Sequence, residues 1–272
     1  MNFLSDAGIS RRDALTGLLA GAALAVPSGR LLQAETRIAA ASKLEKGHEL
    51  APALQMGRDA DSVFGKIEDY TATFHKDEVV GKRRIRQEML IKVRENTFSV
   101  YLKFLKPDAG REVIYIDGKN DGNLQTHGTG LGAVVGTLNL DPKGSLAMED
   151  SRYPVTLIGM RKMVQKVITQ WESELTISGI RVNFYPSAKI GSLECRVVQT
   201  THDTEQTGAR FHMTRLYVSK DSGLPVRVEQ FAFPNKAGAK PIMLEQYTYL
   251  DIKTNAGLTS IDFDIDNPKY DY

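Results

Sequence analysis

The five histidines are the first residues to consider for chemistry, because imidazole is a common metal ligand and works as an acid or base near neutral pH. None lies two or four residues from another histidine, the spacing that a metal site on one strand or helix would use. His202 precedes Asp203, and His75 lies two and three residues before Asp77 and Glu78, so either would hold a metal only with partners distant in sequence. The spacing favours solvated or edge-strand histidines over a metal centre. The five are His48, His75, His127, His202 and His212.

Two short motifs resemble ligand-binding loops, and each lacks a required residue. Residues 262–266 alternate aspartate with apolar residues like the start of a calcium loop, but Asn267 stands where that loop needs glycine. Residues 128–132 carry three glycines in the manner of a dinucleotide-binding turn, but Ala133 occupies the position of its last glycine. Neither motif predicts a site.

Motifs for nucleophilic or phosphate chemistry are also missing from the sequence. There is no G-x-S-x-G elbow and no G-x-x-x-x-G-K-[ST] phosphate loop. Cys195 lies in a strand-like segment with no histidine beside it, which is typical of a packed thiol. We therefore expect a protein that is not an enzyme and that has no cofactor and no metal. The alternative is a periplasmic hydrolase whose polar cleft is assembled from scattered residues.

The first 34 residues are typical of an export signal. Arg11 and Arg12 precede a short, mildly apolar run that is too short to span a bilayer. This resembles a twin-arginine (Tat) signal, although Ala14 stands where phenylalanine is common, so the Sec route stays open. Cleavage is plausible after Ala25 or Ala34. We expect an export signal at 1–34, a linker at 35–47 and a single domain at 48–272.

Composition narrows the classes of partner. The 272 residues include 35 Lys plus Arg and 33 Asp plus Glu, a formal net charge of +2, with 42% apolar residues. This is globular composition with no excess of positive charge to attract nucleic acid. Since Cys195 is the only cysteine, the chain has no lipobox cysteine after its apolar run and no intrachain disulfide. We expect a mature protein that is soluble, does not span a membrane, and lies in the periplasm or is otherwise exported.

The periodicity of apolar residues predicts two similar blocks, each a helix followed by about five strands. Helical spacing covers residues 49–69 and begins again at Pro154, whereas residues 128–151 read as a long irregular loop. The pattern predicts an α+β fold, mainly antiparallel β, with one continuous curved sheet carrying helices on one face. Two separate small domains are the alternative. Predicted strands are 70–75, 84–93, 98–104, 111–116, 122–127, 180–185, 193–202, 210–219, 224–233 and 241–252.

One strand carries a strongly apolar face. Alternate residues of a strand point the same way, so four large apolar side chains of residues 98–104 share one side. Met89 and Ile91 do the same on the preceding strand and should be their neighbours. This face is either an ordinary core filled by the helices or the wall of a cavity for an acyl chain. The candidate ligand-binding residues are Met89, Ile91, Phe98, Val100, Leu102 and Phe104.

The order of elements, with several motif strings, carries a resemblance to a known family. The strings are DYTATF at 69–74, FSVYLKFLKP at 98–107, GREVIY at 110–115, DSGLPVR at 221–227 and GLT at 257–259. Residues 48–272 resemble an exported bacterial family of unknown function, itself similar to the LolA/LolB-like superfamily of periplasmic lipoprotein and lipid carriers. The resemblance implies a strongly curved, incomplete barrel of about eleven strands with helices across its open face.

The resemblance also implies a function. The concave face would bind a lipid, a lipoprotein acyl chain or another hydrophobic ligand, and the partner would be a lipoprotein or another envelope protein. Related members act instead as envelope sensors, so an interaction module without a lipid ligand is the alternative.

Overall fold

The computed structural model describes residues 47–128, 136–205, 208–236 and 238–272. The predicted export signal with Arg11 and Arg12, and the predicted linker apart from Gly47, lie outside these residues. So does most of the glycine motif at 128–132.

The eleven strands in the described part of the chain belong to one antiparallel sheet with the order β6-β5-β4-β3-β2-β1-β11-β10-β9-β8-β7. Two meanders, β1–β6 and β7–β11, are joined where β1 pairs with β11. Within the described residues the sheet stays open, with β6 and β7 at its edges. The predicted curved, incomplete barrel is confirmed, and both blocks share a single sheet. The strands are β1 Asp69–Val80, β2 Arg83–Arg94, β3 Ser99–Lys106, β4 Glu112–Ile116, β5 Leu124–His127, β6 Leu138–Leu140, β7 Ile180–Ile190, β8 Leu193–His202, β9 Met213–Ser219, β10 Pro225–Phe231 and β11 Met243–Thr254.

Within the described ranges, three α-helices lie outside the sheet: α1 Ala51–Ser62, α2 Ser145–Met148 and α3 Met160–Ser173. Short 3-10 turns cover Val63–Lys66, Asn120–Gly122, Val155–Leu157 and Ser260–Phe263.

Helix α3 begins six residues later than the sequence predicts. Pro154 opens only a 3-10 turn, and Gly159 then takes a φ of 111°, a conformation that separates this turn from the helix. Two buried tyrosine hydroxyls accept hydrogen bonds from the first N–H groups: Tyr249 from Gly159 at 3.1 Å and Tyr70 from Met160 at 2.8 Å. Because these donors have no partner within the helix, the sheet itself caps α3.

The predicted irregular loop at 128–151 contains β6 and the four-residue helix α2. Strand β6 pairs with β5, with Leu124 opposite Leu140. Three residues are too few for a period-two pattern to be recognised, so only the tertiary structure reveals this edge strand.

Helices α1 and α3 pack against one face of the sheet and against each other. Trp171 of α3 is fully buried, and its indole N–H donates to the hydroxyl of Thr200 on β8 at 3.1 Å. Gly57 marks the close approach of the helices, since a Cβ there would lie 3.0 Å from Cγ1 of Ile168. The absence of a side chain at Gly57 therefore permits the packing.

The C-terminal residues cover part of the outer face of the sheet. The ring of Tyr270 stacks on Tyr101 with centroids 4.1 Å apart and planes 8° apart. The Lys92 ammonium donates to the carboxylate of Asp262 at 2.6 Å and to the hydroxyl of Tyr270 at 3.0 Å. This C-terminal tail thus seals a small second core on β2–β4.

Candidate ligand-binding site

A cavity of about 490 Å³ lies on the face of the sheet that the helices also cover. Its opposite wall is formed by residues 136–158, which we call the roof segment. Leucines of the roof segment, among them Leu138, Leu140, Leu146 and Leu157, face this space. Side chains of β1 to β5 form the sheet wall: Phe74, Met89, Leu102, Phe104, Val113 and Leu124.

The cavity exists because the helices cover only part of the sheet. Helix α3 packs on β10, and α1 packs on β8 and β10. Strands β3–β5 are covered instead by the roof segment, whose only helices are the single turn α2 and a 3-10 turn. A short, irregular segment cannot present a continuous apolar stripe as a long helix does, and a space remains between it and the sheet.

The six predicted side chains lie on this face, but only half of them line the cavity. Met89, Leu102 and Phe104 are wall residues, and Met89 pairs with Phe104 across β2 and β3. Ile91 and Val100 are buried in the filled core further along the same strands. Phe98 precedes β3 and is half-buried, with the ammonium of Lys162 5.3 Å from its ring centroid. Their role in binding stays a prediction.

Sequence reasoning missed the other wall residues. Phe74 continues the alternation of Tyr70 and Ala72, so the period-two pattern of β1 could have indicated it. Val113 and Leu124 lie on recognisable strands, but which face they line depends on how those strands pair. The roof leucines carry no such signal, because their segment has no regular period.

Buried charges fasten the roof segment to the sheet. Glu78 on β1 and Glu245 on β11 are 2% and 1% exposed. Arg152 of the roof donates from Nε to Oε2 of Glu245 at 2.5 Å, and its backbone N–H donates to Glu78 at 2.9 Å. The hydroxyl of Tyr153 donates to Glu245 at 2.9 Å. Burial raises the pKa of Glu245, and Arg152 offsets only part of that rise.

Two further contacts complete this polar attachment. Lys76 on β1 donates to the backbone carbonyl of Asp150 and to the hydroxyl of Ser151, both at 2.8 Å. Tyr247 on β11 donates a short hydrogen bond to Glu78. These hydrogen bonds and ion pairs join the roof segment to β1 and β11 and so hold it at a fixed distance from the sheet.

A second apolar space of about 610 Å³ lies between α1 and strands β7–β9. Phe184 and Tyr185 of the edge strand β7 line it and are 50% and 44% exposed. This groove opens at the sheet edge, on the other side of the helices from the cavity under the roof segment.

His202 corrects one expectation for the histidines. It is 2% exposed instead of solvated, lies on the interior strand β8, and its Nε2 is 3.1 Å from Oε2 of the fully buried Glu174. Glu174 also accepts a 3.0 Å hydrogen bond from Gln170, so the pair belongs to the core network at the end of α3. Across the described residues, no three His, Cys, Asp or Glu side chains are arranged to hold a metal ion.

A family model for proteins of unknown function, DUF1571, matches residues 67–272. The chain belongs to this family. The match covers every strand of the sheet and the whole roof segment. No curated protein matches the sequence. None of the helices in the described ranges is long and apolar enough to cross a membrane.

Several solved structures are similar to this DUF1571 chain at low identity. The lipoprotein LppX of Mycobacterium tuberculosis is 13% identical over 78% of this chain and 99% of its own, with a TM-score of 0.45. A LolA superfamily protein from Nitrosomonas europaea is 10% identical over 78% and 97%, with a TM-score of 0.32. An outer membrane lipoprotein-sorting domain from Vibrio parahaemolyticus is 13% identical over 78% and 95%, with a TM-score of 0.37. These values are too low to transfer a ligand or a partner.

Proposed function

We propose that this DUF1571 protein is an exported periplasmic protein that binds the acyl chain of a lipid or lipoprotein in the cavity beneath the roof segment. The observation that carries the proposal is the space itself: about 490 Å³ bounded mainly by apolar side chains of β1–β5 and the roof, with charged groups at one end. That volume falls within the range of about 300–1,000 Å³ typical of small-molecule sites. A core that needed no ligand would be packed to the density of an organic crystal.

The energetics favour a long apolar ligand. Each methylene moved from water into the cavity contributes about 0.8 kcal/mol, so a chain of moderate length can offset the entropy lost on binding. The histidine-lined or carboxylate-lined cleft of a hydrolase is a poor match to this wall, in which Phe74, Met89, Leu102 and Phe104 stand side by side. Binding, not turnover, is the function that these side chains support.

The direct test is lipid extraction and mass spectrometry of the protein purified without detergent, followed by titration with a fluorescent fatty-acid probe. Leu102→Ala and Phe104→Ala should weaken probe binding by removing apolar contact while the circular dichroism spectrum stays native. If both variants stay folded and bind the probe as wild type does, this face is simply core and the carrier proposal fails.

Two leucines provide a matched pair for a sharper test. Leu157 borders the cavity and is 44% exposed, whereas Leu90 is 45% exposed on the outer face of β2. Because both already contact water, aspartate should be tolerated at either position. Leu157→Asp should weaken probe binding by placing a charge beside the apolar chain, and Leu90→Asp should leave it unchanged. Equal effects of the two substitutions would contradict binding in this cavity.

The exposed edge favours a second candidate function, an interaction module that binds another envelope protein. Strand β7 is eleven residues long, lies at the edge of the sheet, and places Phe184 and Tyr185 beside the groove against α1. An extended segment of a partner could add to such an edge as a further strand. Cross-linking in cells that recovers one partner through position 184, with no lipid co-purifying, would favour this function over the first.

A further inference from the structure

One end of the cavity carries two cations, Lys76 of β1 and Arg111 just before β4. Burial is the main cause that lowers the pKa of Lys76, and repulsion from Arg111 lowers it further. The two charges are therefore within electrostatic range of each other, at the polar end of a space whose sheet wall is mainly apolar.

The two cations differ in their partners. Lys76 donates to Asp150 and Ser151 of the roof segment and lies 3.6 Å from the carboxylate of Glu78. All three of its N–H bonds therefore have an acceptor within reach inside the protein. Lys76 fastens the roof and is not available to a ligand.

Arg111 has no such partner among the residues that the structure describes. Its guanidinium lies over the ring of Phe104, 5.1 Å from the centroid, and its side chain makes no hydrogen bond or ion pair with the residues that the structure describes. The backbone holds it in place: its carbonyl accepts from Phe104 N at 2.8 Å, and its N–H donates to the Asp108 carbonyl at 2.9 Å. Five N–H donors are thus presented by a rigid turn at the cavity wall.

The acidic groups at this end do not neutralise Arg111. Asp150 pairs with Arg83 at 3.0 Å. Asp108 and Glu149 are exposed, and neither is within 4.0 Å of a cation in the described part of the chain. A half-buried guanidinium without an internal partner gains most from a planar, doubly charged or bidentate anion.

We propose that Arg111 binds the anionic head group, a carboxylate or a phosphate, of an acyl ligand whose chain lies along Phe104, Leu102 and Met89. This rests on the proposed function and adds the ligand class: an anionic, single-chain amphiphile. The guanidinium stacks on Phe104, the first apolar side chain of that wall, so the head group and the start of the chain meet there. Neutral and cationic amphiphiles of the same length leave the guanidinium unpaired.

The test is displacement of a fluorescent fatty-acid probe from the full-length mature protein by palmitate, 1-palmitoyl-lysophosphatidate, hexadecanol and inorganic phosphate alone. Because the probe is itself a carboxylate, its affinity is measured for each variant, and the affinity of every competitor is calculated with that value. Arg111→Gln should weaken palmitate and lysophosphatidate about tenfold, since it removes a charge-assisted pair, and leave hexadecanol unchanged. Arg111→Lys should retain part of the preference, because a point charge remains without the bidentate geometry. Of palmitate and lysophosphatidate, the one whose affinity falls more in Arg111→Gln identifies the carboxylate or the phosphate as the better head group.

Arg94 is the matched control. Its guanidinium lies 5.0 Å from the ring centroid of Phe263, on the outer face of the sheet and away from the cavity. Arg94→Gln therefore removes the same charge and the same cation–π contact without touching the cavity, and palmitate affinity should not change.

The outcomes separate this inference from the function on which it rests. Binding of both palmitate and hexadecanol with no selective loss in Arg111→Gln would overturn the head-group role and leave the carrier function intact. Binding of neither would overturn both. A third outcome is that inorganic phosphate alone displaces the probe at the same concentration as lysophosphatidate does. That result would overturn the proposal of an amphiphilic ligand, since the acyl chain would then contribute nothing to binding.

Discussion

Arg152 Nε lies 2.5 Å from Oε2 of Glu245, a carboxylate that is 1% exposed. This pair joins the roof segment to β11, the strand that also joins the two halves of the sheet. Strand β11 therefore both holds the roof segment and links the two halves of the sheet.

Breaking this pair should loosen the roof. Arg152→Met leaves the Glu245 carboxylate buried without its cation and should lower the free energy of unfolding by about 3 kcal/mol. Arg152→Met with Glu245→Gln should recover part of that loss, because the uncompensated charge is gone. Urea unfolding measures both, and hydrogen exchange at residues 149–153 should rise in the single variant first. A single variant as stable as wild type would contradict this account.

Acid should weaken the attachment of the C-terminal residues. Partial burial raises the pKa of Asp262, but the ammonium of Lys92 and the N–H of Thr259 lower it by more, so the pKa of the folded state lies below its ordinary value of 3.8. A carboxyl with a depressed pKa contributes stability above the pKa of the unfolded chain, and this is lost as the pH falls through the folded value. Asp262→Asn should thus lower the free energy of unfolding at pH 7. Below about pH 4 the variant should lose less stability with falling pH than wild type does, because it has no carboxylate to protonate at this position. Equal losses for both proteins over that range would exclude this contribution.

The stacking of Tyr270 on Tyr101 should contribute to global stability. Tyr270→Ala removes the stacked ring and the hydroxyl that accepts from Lys92, at a cost of about 1–3 kcal/mol. Tyr185→Ala is the control, since that ring is 44% exposed on the edge strand and should change stability little. Thermal unfolding by circular dichroism compares the two. Similar midpoints would show that the tail is not part of the cooperative fold.

Two glycines should respond oppositely to alanine. At Gly57 a Cβ would meet Cγ1 of Ile168 at 3.0 Å, so Gly57→Ala should destabilise the contact of α1 with α3 by about 1–2 kcal/mol. At Gly65 nothing lies within 4 Å of the added atom, and its φ is not positive. Gly65→Ala should be neutral or stabilising by a few tenths of a kcal/mol, about the gain expected from a stiffer unfolded chain. Chemical denaturation of Gly57→Ala and Gly65→Ala measures the two changes in the free energy of unfolding, and changes of the same sign and size would contradict this account.

The export route is a prediction from the sequence alone. The double variant Arg11→Lys, Arg12→Lys should trap the precursor in the cytoplasm if the protein uses the Tat pathway, because the Tat receptor recognises the arginine pair. Cell fractionation with an antibody to the mature protein measures this. Unchanged export would exclude the Tat route and leave Sec.

The sequence by itself determined the α+β class, ten of the eleven strands and the side chains that share a face. Strict alternation is enough to place Phe104 with Leu102 and Met89 with Ile91, and the register confirms that β2 and β3 are neighbours. Hairpin turns also carry a local signal, as at Gly81, where φ is 60°.

Only the tertiary structure decided which part of that face lines the cavity. Alternation is identical for Val100, which is in a filled core, and Leu102, which lines the cavity, because both point to the same side of the sheet. The difference lies in what covers them, and the roof segment has no period from which its position could be inferred. The buried charges of Glu78 and Glu245 were equally hidden, since their partners Tyr247, Arg152 and Tyr153 come from other strands and loops that meet only when the chain folds.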